Sequence, residues 1–318
     1  MSHAEAARGL GRADAPRGAV AAALSFALIL LPGCGIKRLA VNQLGDALAG
    51  GGSGTVFSGD DSPDLIRAAT PFSLKLMESL LAENPGHRKL LLATSQGFTT
   101  YAYAFVKQDA DEIEDENIDK ALAIRGDAKK LLLRARDYGL RAIEVDHRGF
   151  GDLLRKDPAK AVGTVGKKDI AKLYWTGAAW GAAISLAKDD AALIGDLPIV
   201  EALMERVLAL DDTFELGAVH GFFIAYEMTK TGDAAEAAKS ARKHFERAVE
   251  LSGGQDASVY VALAEAVSIP EQNKKEFEEL LGKALAIDID AKRGLRLSNS
   301  VFQRRARWLL SRKDRLFL

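Results

Sequence analysis

The sequence predicts an all-α protein in which antiparallel helical hairpins stack into a compact solenoid. The segment from Leu216 to Gly254 contains two helical stretches separated by a glycine-containing turn. The chain has only eight prolines and no alternating β-branched runs joined by hairpin turns, which argues against a sheet. A closing pattern of a small or β-branched residue, an aliphatic, any residue, an aliphatic and then Asp or Ser begins at residues 142, 207, 248 and 284. This recurrence indicates a repeated helical unit.

The second half of the 216–254 segment carries a more specific spacing. Ala241, Phe245 and Ala248 follow the pattern A-x3-F-x2-A, in which the alanines admit a neighbouring helix and the phenylalanine fills the gap between hairpins. This pattern resembles a tetratricopeptide-type hairpin. The closing patterns lie 65, 41 and 36 residues apart, which suits repeats of the 34-residue class with loop insertions. The core is therefore predicted to be a stack of degenerate tetratricopeptide-like repeats.

Residues 1–33 are predicted to be a lipoprotein signal peptide. Arg8, Arg12 and Arg17 precede the uncharged stretch 18–31, which has the order of a secretory signal and is too short to span a bilayer comfortably. The sequence Leu-Pro-Gly-Cys that ends at Cys34 resembles a bacterial lipobox, in which the cysteine is acylated and becomes the mature N-terminus. Cys34 is the only cysteine, so no intramolecular disulfide can form. The alternative is a buried or free thiol at Cys34.

Two regions are predicted after the signal peptide. Residues 34–61 form a lipid-anchored tether, with a short amphipathic piece followed by a glycine-rich stretch at 50–54. A helical repeat domain then occupies residues 62–318. It begins at Ser62, an N-cap residue that is followed by Pro63 at the first helical position and Asp64 in the first turn.

Hydrophobic periodicity and turn residues divide this domain into helices. The acidic run 109–116 is predicted to be a solvated connection rather than a calcium loop, because it lacks the EF-hand order of ligands and the glycine at the sharp turn. The last helix is basic and is expected to be a capping helix with one polar side, formed by Arg293, Arg296, Arg304, Arg305 and Arg307. The predicted helices are one from Ser62 to Asn84, then 87–107, 119–145, 169–188, 196–210, 215–230, 233–251, 257–268, 271–287 and 291–312.

Composition and motifs narrow the classes of function. The net charge is −1, with 43 basic and 44 acidic residues, so no positive surface for nucleic acid is indicated. The five histidines show no metal-ligand spacing. Nucleophile-elbow, P-loop and Rossmann glycine patterns are absent from the sequence. We therefore predict a protein that is not an enzyme and that needs no metal or cofactor.

Aromatic residues concentrate in and around the segment 170–187, where Gly177 and Gly181 allow close helix packing. Lys172 and Lys188 leave too few uncharged residues between them for a membrane span. Tyrosine and tryptophan offer an apolar face with one polar group, which suits a ligand cavity. The alternative is that these residues fill space between helices and that Asn299 caps a helix end. The cavity candidates are Tyr103, Tyr174, Trp175, Trp180, His220, Phe222, Tyr226 and Asn299.

A series of short motifs runs through the chain. In order these are the lipobox, Asp60–Leu65, Pro71–Lys75, Glu78–Leu81, Tyr101–Phe105, Tyr174-Trp175, Trp180-Gly181, Asp196–Pro198 and Leu297–Asn299. This series resembles the T component (TatT) of tripartite ATP-independent periplasmic (TRAP) transporters. The resemblance implies a periplasmic lipoprotein, held by its lipid to the outer or inner membrane, with cryptic tetratricopeptide repeats.

The same resemblance implies partners. They are the solute-binding protein of the transporter, a hydrophobic or amphipathic small molecule in the cavity, and the membrane through the N-terminal lipid; homo-oligomerisation is left open. The alternative function is an envelope scaffold that binds only proteins and has no small-molecule ligand.

Overall fold

The protein is all-α in a computed structural model that describes residues 34–50, 56–187 and 189–318. No strand occurs in these residues, and helices that follow one another in sequence pack together. This confirms the predicted fold class. The predicted signal peptide and the side chain of Cys34 lie outside the described part of the chain.

Sixteen α-helices are described, and two of them continue into π-helical turns. The first eight are α1 (Cys34–Gly50), α2 (Pro63–Glu83), α3 (Arg88–Tyr101), α4 (Gln108–Ile113), α5 (Ile118–Glu144), α6 (Phe150–Lys156), α7 (Pro158–Gly163) and α8 (Ile170–Ser185). The others are α9 (Ala191–Ile194), α10 (Leu197–Leu210), α11 (Ala218–Glu227), α12 (Ala234–Ser252), α13 (Ala257–Leu263), α14 (Lys274–Ala286), α15 (Arg296–Ser311) and α16 (Lys313–Leu316).

Helix α1 lies within the segment predicted to be a tether, at its amphipathic piece. It packs on α2 and α3, where Val41 and Leu48 cover a small cluster that contains Leu81 and Leu91. A hydrogen bond of 2.7 Å from Asn84 Nδ2 to Asn42 Oδ1 adds to this contact. The first half of residues 34–61 is therefore a docked helix.

The start of α2 follows the predicted capping chemistry. The Ser62 hydroxyl accepts a hydrogen bond from the Leu65 amide at 3.3 Å, and Pro63 occupies the first helical position, where its missing N–H costs nothing. At the other end, the Asn84 amide donates to the Leu80 carbonyl and closes the last turn. The predicted boundaries of this helix are thus confirmed.

Helix α5 forms the centre of the N-terminal half, between α3 and α8. Gly139 permits the close approach of these three helices. A Cβ atom at this position would overlap the Thr176 hydroxyl of α8 and lie 3.0 Å from the Ser95 hydroxyl of α3. By contrast, a Cβ atom at Gly126 of the same helix would meet no atom within 4 Å.

Gly139→Ala should therefore destabilise the protein by about 1–3 kcal/mol through overpacking. Gly126→Ala should stabilise it by about 0.5–1 kcal/mol, because only the helix-propensity gain of alanine remains. Urea unfolding of both variants measures the difference. Adding Thr176→Ala should recover part of the loss in Gly139→Ala. Equal unfolding midpoints for the two glycine variants would refute the conclusion that Gly139 permits the close approach of α3, α5 and α8.

The predicted hairpin of residues 216–254 is present as α11 and α12, joined through a turn that contains Gly232 at φ +140°. Ala241 and Ala248 are buried, as the spacing predicts. Phe245 is only half-buried, and its ring meets the edge of Tyr260 at 5.5 Å. The assignment of this hairpin to the tetratricopeptide class stays a prediction.

The acidic run 109–116 is not a solvated connection, so this expectation was wrong. Asp111 is buried and accepts hydrogen bonds from Arg305 at 2.7 Å and Arg125 at 2.9 Å. The basic helix α15 therefore does not present all its arginines to water. We use the name clasp for the ion pairs that join α15 and the residues after it to this run: Asp109, Asp111, Glu112 and Asp115 on one side, and Arg304, Arg305, Arg312 and Arg315 on the other.

The clasp joins the C-terminal end of the chain to its N-terminal half. Beside it, Leu297 and Val301 of α15 share an apolar cluster with Ile66 of α2 and Phe105. Phe105 lies in a π-helical turn, Ala102–Lys107, which connects α3 to α4. A second π-helical turn, Ala264–Ser268, ends α13. Such turns are frequent at functional sites.

Candidate functional site

Tyr174 and Trp175 of α8 form the aromatic part of the candidate site. Their rings are 5.2 Å apart and nearly perpendicular, and Tyr174 also contacts Phe214 at 5.6 Å. Both residues are partly buried, and protein atoms enclose the Tyr174 hydroxyl group, which raises its pKa. Edge-to-face packing of this kind holds rings in fixed orientations.

Small residues of α8 set the position of these rings. A Cβ atom at Gly177 would lie 3.0 Å from Met204 Sδ, and one at Gly181 would lie 2.9 Å from the Phe222 ring. Helix α8 can therefore approach α10 and α11 closely only because these two positions lack a side chain. The predicted close packing at the two glycines is confirmed.

Glu215 lies in the short turn between α10 and α11, next to the Phe214 ring. It has φ +45° and the following Leu216 has φ +59°, a left-handed conformation that costs non-glycine residues about 1–2 kcal/mol each. The Trp175 side chain acts to lower the pKa of the Glu215 carboxyl, against the effect of burial. The turn thus places a carboxylate beside the accessible rings.

The electrostatics of Glu215 are unusual for an exposed acid. Its side chain reaches solvent, yet burial among protein atoms raises its pKa, and the Trp175 N–H offsets only part of this shift. In the described part of the chain, no cation forms an ion pair with Glu215.

Tyr103 and Asp256 complete the site from two other parts of the chain. Tyr103 projects from the first π-helical turn with 41% of its surface exposed, and Asp256 is the N-cap of α13. Burial raises the pKa of Tyr174, and the nearby Glu215, Asp256 and Tyr103 raise it further. Tyr103, Glu215 and Asp256 are thus close enough to Tyr174 to influence its pKa. The name aromatic–acidic site is used below for Tyr103, Tyr174, Trp175, Glu215 and Asp256.

A small cleft adjoins Tyr103 where the two π-helical turns face each other. Its volume is about 20 Å³, which is enough for one water molecule but not for a larger ligand. Arg305 of the clasp lies in the wall, with hydrogen bonds to Gln108 at 3.0 Å and to Glu265. The other lining residues are Ala104, Lys107, Val301 and Phe302.

Comparison with known proteins places the chain in a family. A model described as TRAP transporter T-component matches residues 59–317. The chain belongs to this family. An uncharacterized protein of Treponema pallidum (strain Nichols) is 29% identical to this T-component over 308 residues, which cover 91% of this chain and 95% of that protein. Family membership associates the protein with TRAP transport systems.

Three of the predicted cavity residues lie in the main core of this T-component. Trp180 is 1% exposed and packs between the Arg136 and Arg155 guanidinium groups, 4.9 and 5.9 Å from its ring. Phe222 and Tyr226 stack on each other at 5.4 Å. Tyr174 also packs against this core, whereas Tyr103 and Trp175 are not part of it.

Asn299 caps a helix, which was the alternative considered for it. Its side-chain oxygen accepts a hydrogen bond from the Ala257 amide at 2.9 Å, and its amide donates to the Gln255 carbonyl at 3.0 Å. The residue is 1% exposed. Asn299 thus satisfies backbone groups at the start of α13, one residue from Asp256.

His220 pairs with His244 across the α11–α12 hairpin. Their Nδ1 atoms are 2.8 Å apart, so one ring donates a proton to the other, and two imidazolium ions would repel. Burial lowers the pKa of His220, with a further lowering from Arg247 that Asp212 opposes. Burial and His220 lower the pKa of His244.

This pair should make stability depend on pH. In the unfolded chain each histidine has a pKa near 6.5, whereas in the folded protein both pKa values are lower. The free energy of unfolding therefore falls as the pH drops below about 6.5. The loss is at most about 1.4 kcal/mol per histidine per pH unit. Urea midpoints at pH 7.5 and 5.5 test this effect. His244→Asn should reduce the difference between the two midpoints, whereas an unchanged difference would assign it to other groups.

The sequence offered no basis for finding Glu215, Asp256 and Arg305 as parts of this region. From the sequence, Glu215 is predicted only to be an acidic residue at the start of a helix, and Asp256 is predicted only to be an N-cap residue. Only the turn geometry and the contact with Trp175 distinguish Glu215.

Two further properties of the described residues bear on function. No group of three His, Cys, Asp or Glu side chains there is arranged to hold a metal ion. None of the helices described has the length and apolar character that a bilayer span requires.

Proposed function

We propose that this T-component is a periplasmic lipoprotein, anchored through Cys34 to the outer or inner membrane. In this proposal it associates with the solute-binding protein of a TRAP transporter and offers a binding site to a hydrophobic or amphipathic solute during uptake. The observation that carries the ligand role is the aromatic–acidic site. There, the rings of Tyr174 and Trp175 pack edge to face beside Phe214, and Glu215 follows Phe214 in the chain.

The chemistry of this site supports ligand binding. Aromatic side chains supply large apolar contact area at low entropy cost, and Trp175 and Glu215 add polar groups. Trp175 is partly exposed and does not belong to the core around Trp180, so its ring can contact a ligand without leaving that core unfilled.

The position of α1 supports an anchoring role for Cys34. Cys34 is the first residue of this 17-residue helix, which is about 25 Å long and packs on α2 and α3. Acyl chains on Cys34 would therefore attach to a docked helix. Such an attachment would hold the domain at a limited distance from the bilayer.

The alternative, a scaffold that binds only proteins, is favoured by one observation. The cleft beside Tyr103 holds about one water molecule, so no large enclosed cavity is ready for an apolar ligand there. In this alternative the accessible rings contact a partner protein.

The proposal is tested first by fractionation and capture. Native protein should be in the membrane fraction, with a mature mass that includes acyl chains. Cys34→Ala should leave a soluble or uncleaved protein, because the lipid supplies the anchoring. Crosslinking in intact cells should capture the transporter's solute-binding protein. An unchanged mass and unchanged fractionation in Cys34→Ala would refute the anchor.

Ligand binding is tested with soluble Cys34→Ala protein, decanoate and decylammonium, by calorimetry below the micelle concentration. Saturable binding of either amphiphile supports the ligand role. Trp175→Ala should weaken it by roughly 10-fold or more, the usual effect of losing a large aromatic contact. Phe72→Ala, which removes a ring that is 75% exposed on α2, is the control. If neither amphiphile binds and partner capture persists, the scaffold alternative holds.

A further inference from the structure

We propose that a recess between the α5–α6 corner and the loop after α7 binds a small organic anion, in which a carboxylate or phosphate group adjoins a short apolar part. The name corner recess is used for this space, which is lined by His147, Arg148, Gly149, Phe150, Leu153 and Thr164. The corner recess shares no residue with the aromatic–acidic site. This inference is therefore independent of the ligand role proposed above.

The corner recess has room for a small molecule. Its volume is about 140 Å³, whereas the cleft beside Tyr103 has about 20 Å³. In another protein, an apolar cavity of about 150 Å³ is large enough to bind benzene. The buried Phe150 and the partly buried Leu153 give the recess an apolar wall. A ligand whose apolar part has about the size of a benzene ring therefore fits this space.

A network of charged groups holds His147 in the wall of the recess. The His147 Nε2 atom lies 3.1 Å from Asp169 Oδ2, and Asp169 Oδ1 accepts a hydrogen bond of 2.7 Å from Lys172 Nζ. Asp169 is 5% exposed and Lys172 is 8% exposed, so both are buried charged residues. Lys172 also donates to Asp146, the residue before His147, at 2.5 Å. The imidazole therefore has a defined position before any ligand binds.

This arrangement leaves the second ring nitrogen of His147 for a ligand. A carboxylate only accepts hydrogen bonds, so the Nε2 atom carries the proton that is donated to Asp169. Within the described residues, Nδ1 has no hydrogen-bond partner, and it is not a buried atom that lacks one. Nδ1 therefore meets water or a ligand, and it donates a hydrogen bond when the ring is protonated.

The acids behind the His147 ring are already compensated. Asp146 and Asp169 share the ammonium group of Lys172, and Asp146 also pairs with Arg88 at 2.6 Å. Two acids thus have two cations as partners before His147 is counted. Protonation of the imidazole would add a positive charge that this network does not cancel, and a bound anion would compensate it.

Arg148 supplies a second cation to the recess. This arginine is exposed and forms no ion pair in the part of the chain that the structure describes. Glu144, the last residue of α5, instead accepts hydrogen bonds from the backbone amides of Gly149 and Gly151. These two hydrogen bonds hold the corner in shape, where Gly149 has φ +78°. A guanidinium group without a carboxylate partner suits a carboxylate or phosphate of a ligand.

Other small ligands fit the corner recess less well. Its lining contains a histidine and an arginine but no acid, so a cationic ligand would find no opposite charge there. The Thr164 hydroxyl already donates to the Ala161 carbonyl at 2.7 Å and offers no further donor. An uncharged ring would cover the apolar wall and remove water from Arg148 without replacing its hydrogen bonds, which costs free energy. An anion with an apolar part satisfies both sides of the recess.

The test compares benzoate and phenyl phosphate with benzylammonium and benzyl alcohol, which share a ring and differ in charge. Calorimetry on soluble Cys34→Ala protein should show saturable binding of benzoate or phenyl phosphate, at least 10-fold tighter than that of the other two compounds. Arg148→Gln should weaken binding of the anion roughly 10-fold or more, because a charge-assisted hydrogen bond is lost. Arg315→Gln, at an arginine that is 68% exposed, is the matched control and should leave binding unchanged.

Two further variants locate the site. Thr164→Phe places a ring in the corner recess and keeps both cations, so it should prevent binding of the anion. Trp175→Ala should leave binding of the anion unchanged, which distinguishes this site from the aromatic–acidic site.

Several results would overturn the proposal. One is binding of benzylammonium or benzyl alcohol as tightly as the anions. Another is undiminished binding of the anion in folded Arg148→Gln or Thr164→Phe protein. Absence of binding for all these compounds would show that the corner recess holds only water, and it would leave the amphiphile titrations of the proposed function unaffected.

Discussion

Replacing Arg305 with alanine is expected to lower the free energy of unfolding by about 3–5 kcal/mol. Arg305 is 9% exposed, and its guanidinium group donates hydrogen bonds to Asp111, Gln108 and Glu265. Its removal would leave the carboxylates of Asp111 and Glu265 with less positive charge beside them, at a position that water reaches poorly. Burial alone would raise the pKa of Asp111, but Lys107, Arg305 and Arg125 outweigh it and lower that pKa to about 2.

Arg315→Ala is the matched control, since Arg315 also belongs to the clasp and pairs with Asp115 but is 68% exposed. Its loss should change stability by no more than about 0.5 kcal/mol. Denaturant unfolding followed by circular dichroism measures both variants. Similar midpoints for Arg305→Ala and Arg315→Ala would show that burial does not strengthen the clasp.

Phe277→Ala is expected to lower the free energy of unfolding by about 3–5 kcal/mol, because it leaves a cavity in the apolar cluster of the C-terminal helices. Phe277 is 0% exposed and packs edge-to-face on Phe317 at 4.9 Å. The substitution removes both the transfer free energy of the ring and its contacts with its neighbours, and α14 is held between α13 and α15. The cavity would therefore collapse only in part.

Phe72→Ala gives the comparison for Phe277→Ala, since the Phe72 ring is mostly in water. Its effect should stay within about 0.5 kcal/mol. The same urea titration serves both variants. A small change in the free energy of unfolding for Phe277→Ala would mean that the C-terminal helices do not unfold together with the rest of the protein.

The clasp and the candidate site are physically connected. Arg305 lies in the wall of the cleft next to Tyr103, and the same guanidinium group holds Asp111 and Glu265. It therefore links α4, which follows the first π-helical turn, to the second π-helical turn. Arg305→Ala should reduce amphiphile binding as well as stability, whereas Phe277→Ala should affect stability alone in the fraction that remains folded.

Local patterns in the sequence were sufficient for most helices. The prediction of 119–145 corresponds to α5 at 118–144, and that of 233–251 corresponds to α12 at 234–252. These helices combine strong apolar periodicity with cap residues such as Asn117 and Asp233, which act within a few residues. Helices α6 and α7 were missed because each is too short to show a period.

The sequence by itself determined the all-α class, most helix boundaries and the family, because caps, periodicity and motif order are local or sequential properties. Only the tertiary structure decided which distant groups meet. Arg304 and Glu112 pair across 192 positions, and no local pattern in either segment indicates its partner. Likewise, Glu215 acquires its role from a left-handed turn beside Trp175. Burial and charge compensation depend on all the packed neighbours at once, and those neighbours come together only when the helices pack.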